Sequence, residues 1–243
     1  MAFQTYQLEL VYGCNLTCFY CTTADKLQLM PEYKAIEILN SLPPTKYLYL
    51  QGQGEPTLHP SLIMLAKYAK SLKKFTYVCI ITNGIIETDY NVFDKVFFSC
   101  DDIGPIKSGK YFDRIKDNFY KAYKVCREVQ IWTVDFGQDL QPLVQLCKEL
   151  KINQYTIKLN TNATLAYKYD VTKPKLAGES FECTYIKKGL FRRFLVDGTP
   201  VDCCWCRLEH KELFKDIDLL HNNLRKGIVI GPCVDCMHLG AIK

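Results

Sequence analysis

Short apolar segments alternate with longer amphipathic segments through the first two-thirds of the 243-residue chain. The short segments are rich in β-branched and aromatic residues, as strands are, and the longer ones repeat apolar residues every three or four positions, as helices do. The predicted strands are 6–11, 46–51, 75–81, 95–99, 129–135 and 155–159, and the predicted helices are 31–41, 61–72, 110–126 and 140–150. This alternation predicts an α/β fold with a parallel sheet. Six strands are fewer than the eight of a closed barrel, so we expect a partial (β/α)6 barrel.

A polar or glycine-containing cluster follows each of the first four predicted strands. In chain order the clusters are Cys14, Gly52-Gln53-Gly54-Glu55-Pro56, Thr82-Asn83-Gly84 and Ser99-Cys100-Asp101-Asp102. Since the carboxyl ends of parallel strands lie at one edge of the sheet, the four clusters are expected to meet there. The sequence therefore predicts a functional site at this edge.

The first of these clusters begins a group of three cysteines, Cys14, Cys18 and Cys21, with the spacing Cys-x3-Cys-x2-Cys. Three thiolates hold three irons of a four-iron, four-sulfur cluster and leave the fourth iron open to a ligand that is not protein. The chain contains 13 cysteines, so two other interpretations stay open. The three residues could form a structural zinc knuckle, or they could be buried apolar side chains.

Composition restricts the classes of protein that fit. Hydrophobic residues make up 48% of the chain, enough for a sizeable core, but no segment has the roughly 20 apolar residues of a membrane span. The N-terminal sequence lacks the pattern of a signal peptide, and the odd number of cysteines disfavours a disulfide framework. We therefore expect a cytoplasmic protein with reduced thiols. The net charge of +5 is spread along the chain, so nucleic-acid binding is not expected.

The pattern of alternating elements ends after position 159. A polar connector at 160–175 separates a predicted barrel, 1–165, from a smaller cysteine-rich domain, 176–243. The smaller domain is predicted to contain a hairpin at 190–203 that turns at Asp197-Gly198, then a helix at 213–226. Its six cysteines are Cys183, Cys203, Cys204, Cys206, Cys233 and Cys236.

Taken together, these motifs resemble those of the radical S-adenosylmethionine (SAM) superfamily. The resemblance lies in Cys14, Cys18 and Cys21 with the aromatic Tyr20 before the last cysteine, in Gly54-Glu55-Pro56 and in Thr82-Asn83-Gly84. It implies a partial barrel and a four-iron, four-sulfur cluster whose open iron binds SAM. It also implies an enzyme that cleaves SAM reductively to a 5′-deoxyadenosyl radical, with the cofactor supplying the difficult chemistry.

The resemblance also implies which residues contact SAM: Tyr20, Gly52, Gly54, Glu55, Pro56, Asn83, Ser99 and Asp101. Structural roles stay open for three of them. Tyr20 could be a core aromatic residue, Asp101 could cap the next element, and Asn83 could be a turn residue.

The C-terminal domain resembles a twitch or SPASM-like domain, which carries an auxiliary cluster in relatives. The implied ligands are Cys183, Cys203, Cys233 and Cys236, and the neighbouring Cys204 and Cys206 leave the second ligand open. A structural zinc ion would suit the same spacing. The remaining cysteines, Cys79, Cys100, Cys126 and Cys147, are expected in the core.

The resemblance favours hydrogen abstraction from a small-molecule or nucleotide-sized substrate. Relatives with a twitch domain include dehydrogenases, so oxidation assisted by the auxiliary cluster is the expected reaction, with an electron donor such as flavodoxin or ferredoxin. Two alternatives remain: a radical SAM enzyme that modifies peptides, and a zinc-bearing module that binds nucleic acid. No catalytic base can be identified from the sequence.

Overall fold

The computed structural model describes residues 3–18, 21, 27–101, 111–135, 137–158, 175–176, 180–203, 206, 208–214, 216–229, 233 and 239–241. Its strands are β1 Thr5–Leu8, β2 Val11–Tyr12, β3 Gln28–Leu29, β4 Thr45–Leu50, β5 Phe75–Thr82, β6 Lys95–Ser99, β7 Glu128–Asp135, β8 Asn153–Lys158, β9 Lys175–Leu176, β10 Phe181–Cys183, β11 Phe191–Phe194, β12 Pro200–Val201, β13 Ile228–Val229 and β14 Leu239–Ala241. The α-helices are α1 Glu32–Ser41, α2 Leu62–Ser71, α3 Phe112–Val125, α4 Gln141–Leu150, α5 Thr184–Lys188 and α6 Ile217–Arg225. Short 3-10 helices span Pro56–Leu58, Tyr90–Val92 and Leu208–Phe214.

One eight-stranded sheet organises the molecule, in the order β12-β11-β1-β4-β5-β6-β7-β8. The seven strands from β11 to β8 run parallel, and only β12 at the edge is antiparallel to its neighbour. The parallel α/β architecture that the sequence predicts is thereby confirmed. Because every parallel strand ends at the same edge, the loops that follow them meet there.

The two faces of the sheet differ in composition. One face is covered by helices and carries fully buried apolar side chains such as Leu48, Ile80 and Phe98. The helices supply matching apolar positions three and four apart, as in α2, where Leu62, Leu65, Ala66 and Ala69 are buried. These contacts form the main hydrophobic core.

The opposite face carries aromatic side chains. The rings of Tyr49 and Phe97 have centroids 5.9 Å apart, and those of Phe97 and Trp132 are 4.8 Å apart. Side chains two positions further along these strands lie on the same face, nearer the carboxyl edge. The aromatic residues therefore form a floor beneath that edge.

The C-terminal segment contributes a strand that the sequence does not predict at this position. The predicted hairpin is present, because β11 pairs with β12 and places Phe194 opposite Pro200. In addition, β11 pairs in parallel with β1, with Arg193 opposite Gln7. The segment after position 190 thus extends the main sheet beyond its first strand.

A second, smaller core lies in the same segment. It contains the buried residues Leu195, Val201, Cys206, Phe214, Leu220, Leu224 and Cys233. The helix predicted at 213–226 appears as α6, and β10 pairs antiparallel with β14. Most of the predicted connector at 160–175 lies outside the described residues, so the domain boundary stays a prediction. Within the described parts of the chain, every helix is too short or too polar to span a lipid bilayer.

Candidate functional site

A cavity of about 340 Å³ opens at the carboxyl edge of the sheet. All three cysteines of the N-terminal group line it, together with the predicted site residues Gly52, Gly54, Glu55, Asn83 and Ser99. These residues come from the loop after the short β2, which follows β1, and from the loops or ends of β4, β5 and β6, so the predicted convergence of the strand ends is observed. Tyr20 lies outside the described residues.

The two glycines of the loop after β4 occupy positions where a side chain does not fit. A Cβ on Gly54 would lie 2.2 Å from the carbonyl oxygen of Gly13, and one on Gly52 would lie 2.1 Å from Cγ of Glu9. Glycine is therefore required for the close approach of this loop to the loop after β1. The Gly54-Glu55 segment also pairs with that loop, because the backbone N–H of Glu55 donates to the carbonyl of Gly13 at 3.0 Å.

Glu55 ties the ends of β4 and β5 together. Its carboxylate accepts hydrogen bonds from the Thr57 N–H at 3.1 Å, the Thr57 hydroxyl at 2.7 Å, the Thr82 hydroxyl at 2.7 Å and the Asn83 N–H at 2.7 Å. Burial raises the pKa of Glu55, and the hydrogen bonds to the ionised form act against that rise. Pro56, which is also buried, begins the short helix that follows. This network fixes the edge of the cavity.

Hydrogen bonds are described at all three cysteines. The backbone N–H of Cys21 donates to the carbonyl of Cys18 at 2.9 Å, and Cys21 is exposed. The sulfur of Cys14 accepts from the N–H of Leu16 at 3.4 Å and from Nδ2 of Asn83 at 3.7 Å. Burial raises the pKa of the Cys14 thiol, and the hydrogen bond from Leu16 acts against that rise.

This donor set fits an iron-sulfur cluster with one open iron. Thiolates are the usual ligands of such clusters, and N–H groups directed at the sulfur, as at Cys14, are their usual support. In the described residues no three His, Cys, Asp or Glu side chains converge on one point as ligands of a single ion do. Cluster thiolates need no such convergence, because each binds a different iron.

Ser99 and Asp101 have different surroundings in the structure, although they lie close together in sequence. Ser99 ends β6 and lines the cavity. Asp101 is fully buried, and its carboxylate accepts a hydrogen bond from the N–H of Val134 at 2.8 Å. Asp101 thus links the ends of β6 and β7, a contact that differs from the cap on the next element considered from the sequence.

Sequence reasoning missed Glu9. This residue is fully buried, and its carboxylate accepts from the N–H of Gln53 at 2.5 Å and from the N–H of Val196 at 3.2 Å. Burial raises the pKa of Glu9, and the positive charge of Arg193 acts in the opposite direction. The available signal was an acidic residue inside an apolar segment, Leu8-Glu9-Leu10. Glu9 joins the cavity loop to the C-terminal hairpin.

Arg193 is a buried cationic residue of the same cavity. It lies on β11, lines the cavity and is only 1% exposed. Its guanidinium donates to the backbone carbonyl of Cys206. Arg193 therefore connects the cavity wall to the cysteine-rich segment.

Four of the C-terminal cysteines belong to the smaller core or pack against it. Cys206 and Cys233 are buried in the smaller core, and Cys183 and Cys203 pack against it. Cys204 and Cys236 lie outside the described residues. The grouping brings together three of the four predicted auxiliary ligands, and it adds Cys206 as a neighbour.

Comparison with known sequences gives a family match. The model of the radical SAM superfamily matches residues 8–150. A GTP 3′,8-cyclase from Chlorobaculum tepidum is 33% identical over 86 residues, which are 33% of this chain and 26% of that protein. A cofactor-modifying protein for tungsten-containing aldehyde ferredoxin oxidoreductase from Pyrococcus furiosus is 28% identical over 181 residues, 65% of this chain and 49% of that protein. The chain thus spans half or less of these relatives.

Solved structures show the same fold at low sequence identity. BtrN in complex with AdoMet and 2-DOIA superimposes with a TM-score of 0.50 and 13% identity, covering 93% of this chain and 89% of that chain. SuiB from Streptococcus suis, bound to the precursor peptide SuiA, gives a TM-score of 0.53 and 13% identity over 83% of this chain and 60% of that chain. These likenesses concern the fold.

Proposed function

The chain belongs to the radical SAM superfamily, and on that premise we propose that it cleaves SAM reductively and abstracts a hydrogen atom from a small-molecule or nucleotide-sized substrate. The observation that carries this proposal is the cavity at the carboxyl edge of the sheet. Three cysteines and a glycine loop from two different strand ends line that single space. A thiolate site and a surface on which a ligand can lie against the backbone are thereby brought together.

When bound to Cys14, Cys18 and Cys21, a four-iron, four-sulfur cluster supplies the electron that cleaves SAM and an open iron that holds it. The chain's own residues provide the setting. Gly52 and Gly54 line the cavity, and their missing side chains let this loop pack directly against Glu9 and the backbone of Gly13. Ser99, which also lines the cavity, is the polar group proposed to bind the ribose or carboxylate.

The names of similar proteins support a small substrate. Relatives named for GTP cyclisation and a structural neighbour bound to 2-DOIA act on, or bind, molecules of that class. The structural neighbour SuiB, which binds a precursor peptide, supports the alternative that this chain is a peptide-modifying enzyme.

We propose further that the reaction is an oxidation assisted by an auxiliary cluster on Cys183, Cys203, Cys233 and Cys236. When bound, that cluster would accept the electron that the substrate radical loses. The support is the shared location of Cys183, Cys203 and Cys233 at the smaller core, which Arg193 joins to the cavity. An external donor such as flavodoxin or ferredoxin would deliver the first electron.

Anaerobically purified protein tests the first part. We expect a brown, iron-containing protein that converts SAM to 5′-deoxyadenosine under dithionite, and we expect this product to be lost in Cys14→Ala. Cys147→Ala, which removes a buried thiol from α4, is the matched control and should retain the product. Zinc without iron, or persistence of the product in Cys14→Ala, would reject the assignment.

The auxiliary cluster has its own test. Wild-type protein should contain about eight irons, and Cys233→Ala should contain about four while still cleaving SAM without substrate. A Cys233→Ala variant with the same iron content as wild type would refute the auxiliary cluster without affecting the first site.

A further inference from the structure

Asn83 is held in one orientation at the wall of the cavity. It is only 6% exposed, and its backbone N–H donates to Glu55 at 2.7 Å. Its side-chain oxygen Oδ1 accepts a hydrogen bond from the N–H of Ile85 at 3.1 Å. Because that bond fixes the oxygen side of the amide, the NH₂ group must point the other way.

The NH₂ group of Asn83 points at the cysteine loop. Nδ2 donates to Oδ1 of Asn15 at 2.8 Å and lies 3.7 Å from the sulfur of Cys14. The same sulfur accepts the N–H of Leu16 at 3.4 Å. Two N–H groups from different parts of the chain thus converge on one sulfur.

The two accepted bonds also suit a sulfur that is bound to iron. A thiol at Cys14 is placed to donate its proton to Oδ1 of Asn15, 3.5 Å away. A sulfur bound to iron carries no proton, so only the two accepted bonds remain. Such bonds stabilise negative charge on sulfur, and reduction of a cluster increases that charge.

We propose that Asn83 is a positioning residue for the first cluster: its amide orients the sulfur of Cys14 and raises the reduction potential of the cluster. This inference rests on the proposed function, since it requires iron at Cys14, Cys18 and Cys21. It assigns Asn83 to the cluster ligand, whereas the sequence resemblance implies a contact with SAM.

The test is a redox titration of the anaerobically purified holoenzyme without SAM, followed by electron paramagnetic resonance. In Asn83→Ala the ratio of reduced to oxidised first cluster at a fixed potential should fall about fivefold. This change corresponds to a reduction potential lower by about 40 mV for one electron, and its expected cause is the loss of about one neutral hydrogen bond. Asn91→Ala is the matched control. It removes an exposed amide that bonds to Asp89 at the start of the 3-10 helix Tyr90–Val92, so the potential should not change.

An unchanged potential in Asn83→Ala would overturn the proposal, whether or not the affinity for SAM is reduced. If Asn83→Ala does not retain iron, Asn83→Asp replaces it. Asp keeps the oxygen that accepts from Ile85 and puts a negative oxygen beside Cys14, so the potential should fall further than in Asn83→Ala. A wild-type potential in Asn83→Asp would also overturn the proposal.

The proposed function and this inference fail in different ways. If the Asn83 variants lower the potential as expected but the wild-type protein does not cleave SAM, the proposed function is refuted and the role of Asn83 stands. A wild-type protein without a reducible cluster would refute both.

Discussion

The carboxylate of Glu9 accepts the backbone N–H of Gln53 at 2.5 Å, so the residue just after β1 holds the glycine loop that follows β4. Its second oxygen accepts the N–H of Val196 in the C-terminal hairpin at 3.2 Å. One buried carboxylate therefore fixes three parts of the chain that are distant in sequence. Gly52 makes the contact possible, because a side chain there would overlap Glu9.

Replacing Glu9 with Gln should destabilise the protein. One carboxylate oxygen becomes an NH₂ group that faces a backbone N–H, so a buried donor loses its acceptor at a cost of about 2 kcal/mol. Chemical unfolding of the anaerobic protein measures the loss. Glu37→Gln is the control, because Glu37 is an exposed partner of Lys34 on α1 and should change the unfolding free energy by less than about 1 kcal/mol. Equal effects of the two variants would contradict the role given to Glu9.

Replacing Gly54 with Ala should disrupt the cavity. The new Cβ would meet the backbone oxygens of Gly13 and Val11 at 2.2 and 2.7 Å, and backbone at these positions cannot yield without moving the cysteine loop. Affinity for SAM, measured by equilibrium dialysis, should fall at least about tenfold, equivalent to about 1.4 kcal/mol.

Gly137→Ala provides the comparison for Gly54→Ala. Gly137 has a positive φ of 98°, but no atom lies within 4 Å of the position that a Cβ would take, so its replacement introduces backbone strain alone. Stability should fall slightly and affinity for SAM should not change. Normal binding of SAM by Gly54→Ala would show that the loop contact is not essential.

The sequence was informative wherever neighbouring residues determine structure. The strand predicted at 95–99 has the observed bounds of β6, because alternation of apolar side chains is a local property. The alternation of strands and helices also predicts that the strands run parallel. Because parallel strands end at one edge of the sheet, the Cys14 loop and the glycines after β4 could be placed at the same edge.

Contacts between distant parts of the chain could not be predicted. The parallel pairing of β11 with β1 places Arg193 opposite Gln7, and the sequence around each residue gives no indication of this pairing. The role of Glu9 depends on that pairing and on the absence of a side chain at Gly52. Asp101 is a similar case: the sequence allowed a contact with SAM or a cap on the next element, and neither indicated the bond to Val134 on β7.

Two adjacent arginines should respond differently to replacement by Gln. Arg193 is buried, donates to the carbonyl of Cys206 and places its charge near Glu9, so Arg193→Gln should cost about 3 kcal/mol. Arg192 is partly exposed and pairs with both oxygens of Asp202 at 2.7 and 2.9 Å. Its replacement should cost about 1 kcal/mol.

Thermal unfolding measures both arginine variants, and iron content gives an independent reading. Because Arg193 supports the backbone at Cys206, Arg193→Gln should also lose iron from the auxiliary site while Arg192→Gln retains it. Identical stability and iron content in the two variants would contradict the link between the cavity and the cysteine-rich segment.

Three thiols, of which Cys79 and Cys147 are buried and Cys126 is partly buried, should resist alkylation at a pH where ordinary cysteines react. Burial raises the pKa of Cys79 to about 12, of Cys126 to about 12 and of Cys147 to about 11. Thiolate is the reactive form, and at pH 8 a pKa of about 11 leaves roughly one thiol in 1,000 ionised, against roughly one in four for an ordinary cysteine with a pKa of about 8.5.

All three thiols of the folded protein should therefore react slowly with iodoacetamide at both pH 7 and pH 8. Only unfolding in urea should make them react rapidly. Iodoacetamide labelling with peptide mass spectrometry measures each site, and the exposed Cys21 in protein stripped of iron is the positive control. Rapid labelling of Cys147 under native conditions at pH 8 would show that α4 opens or that its thiol is not held in the core.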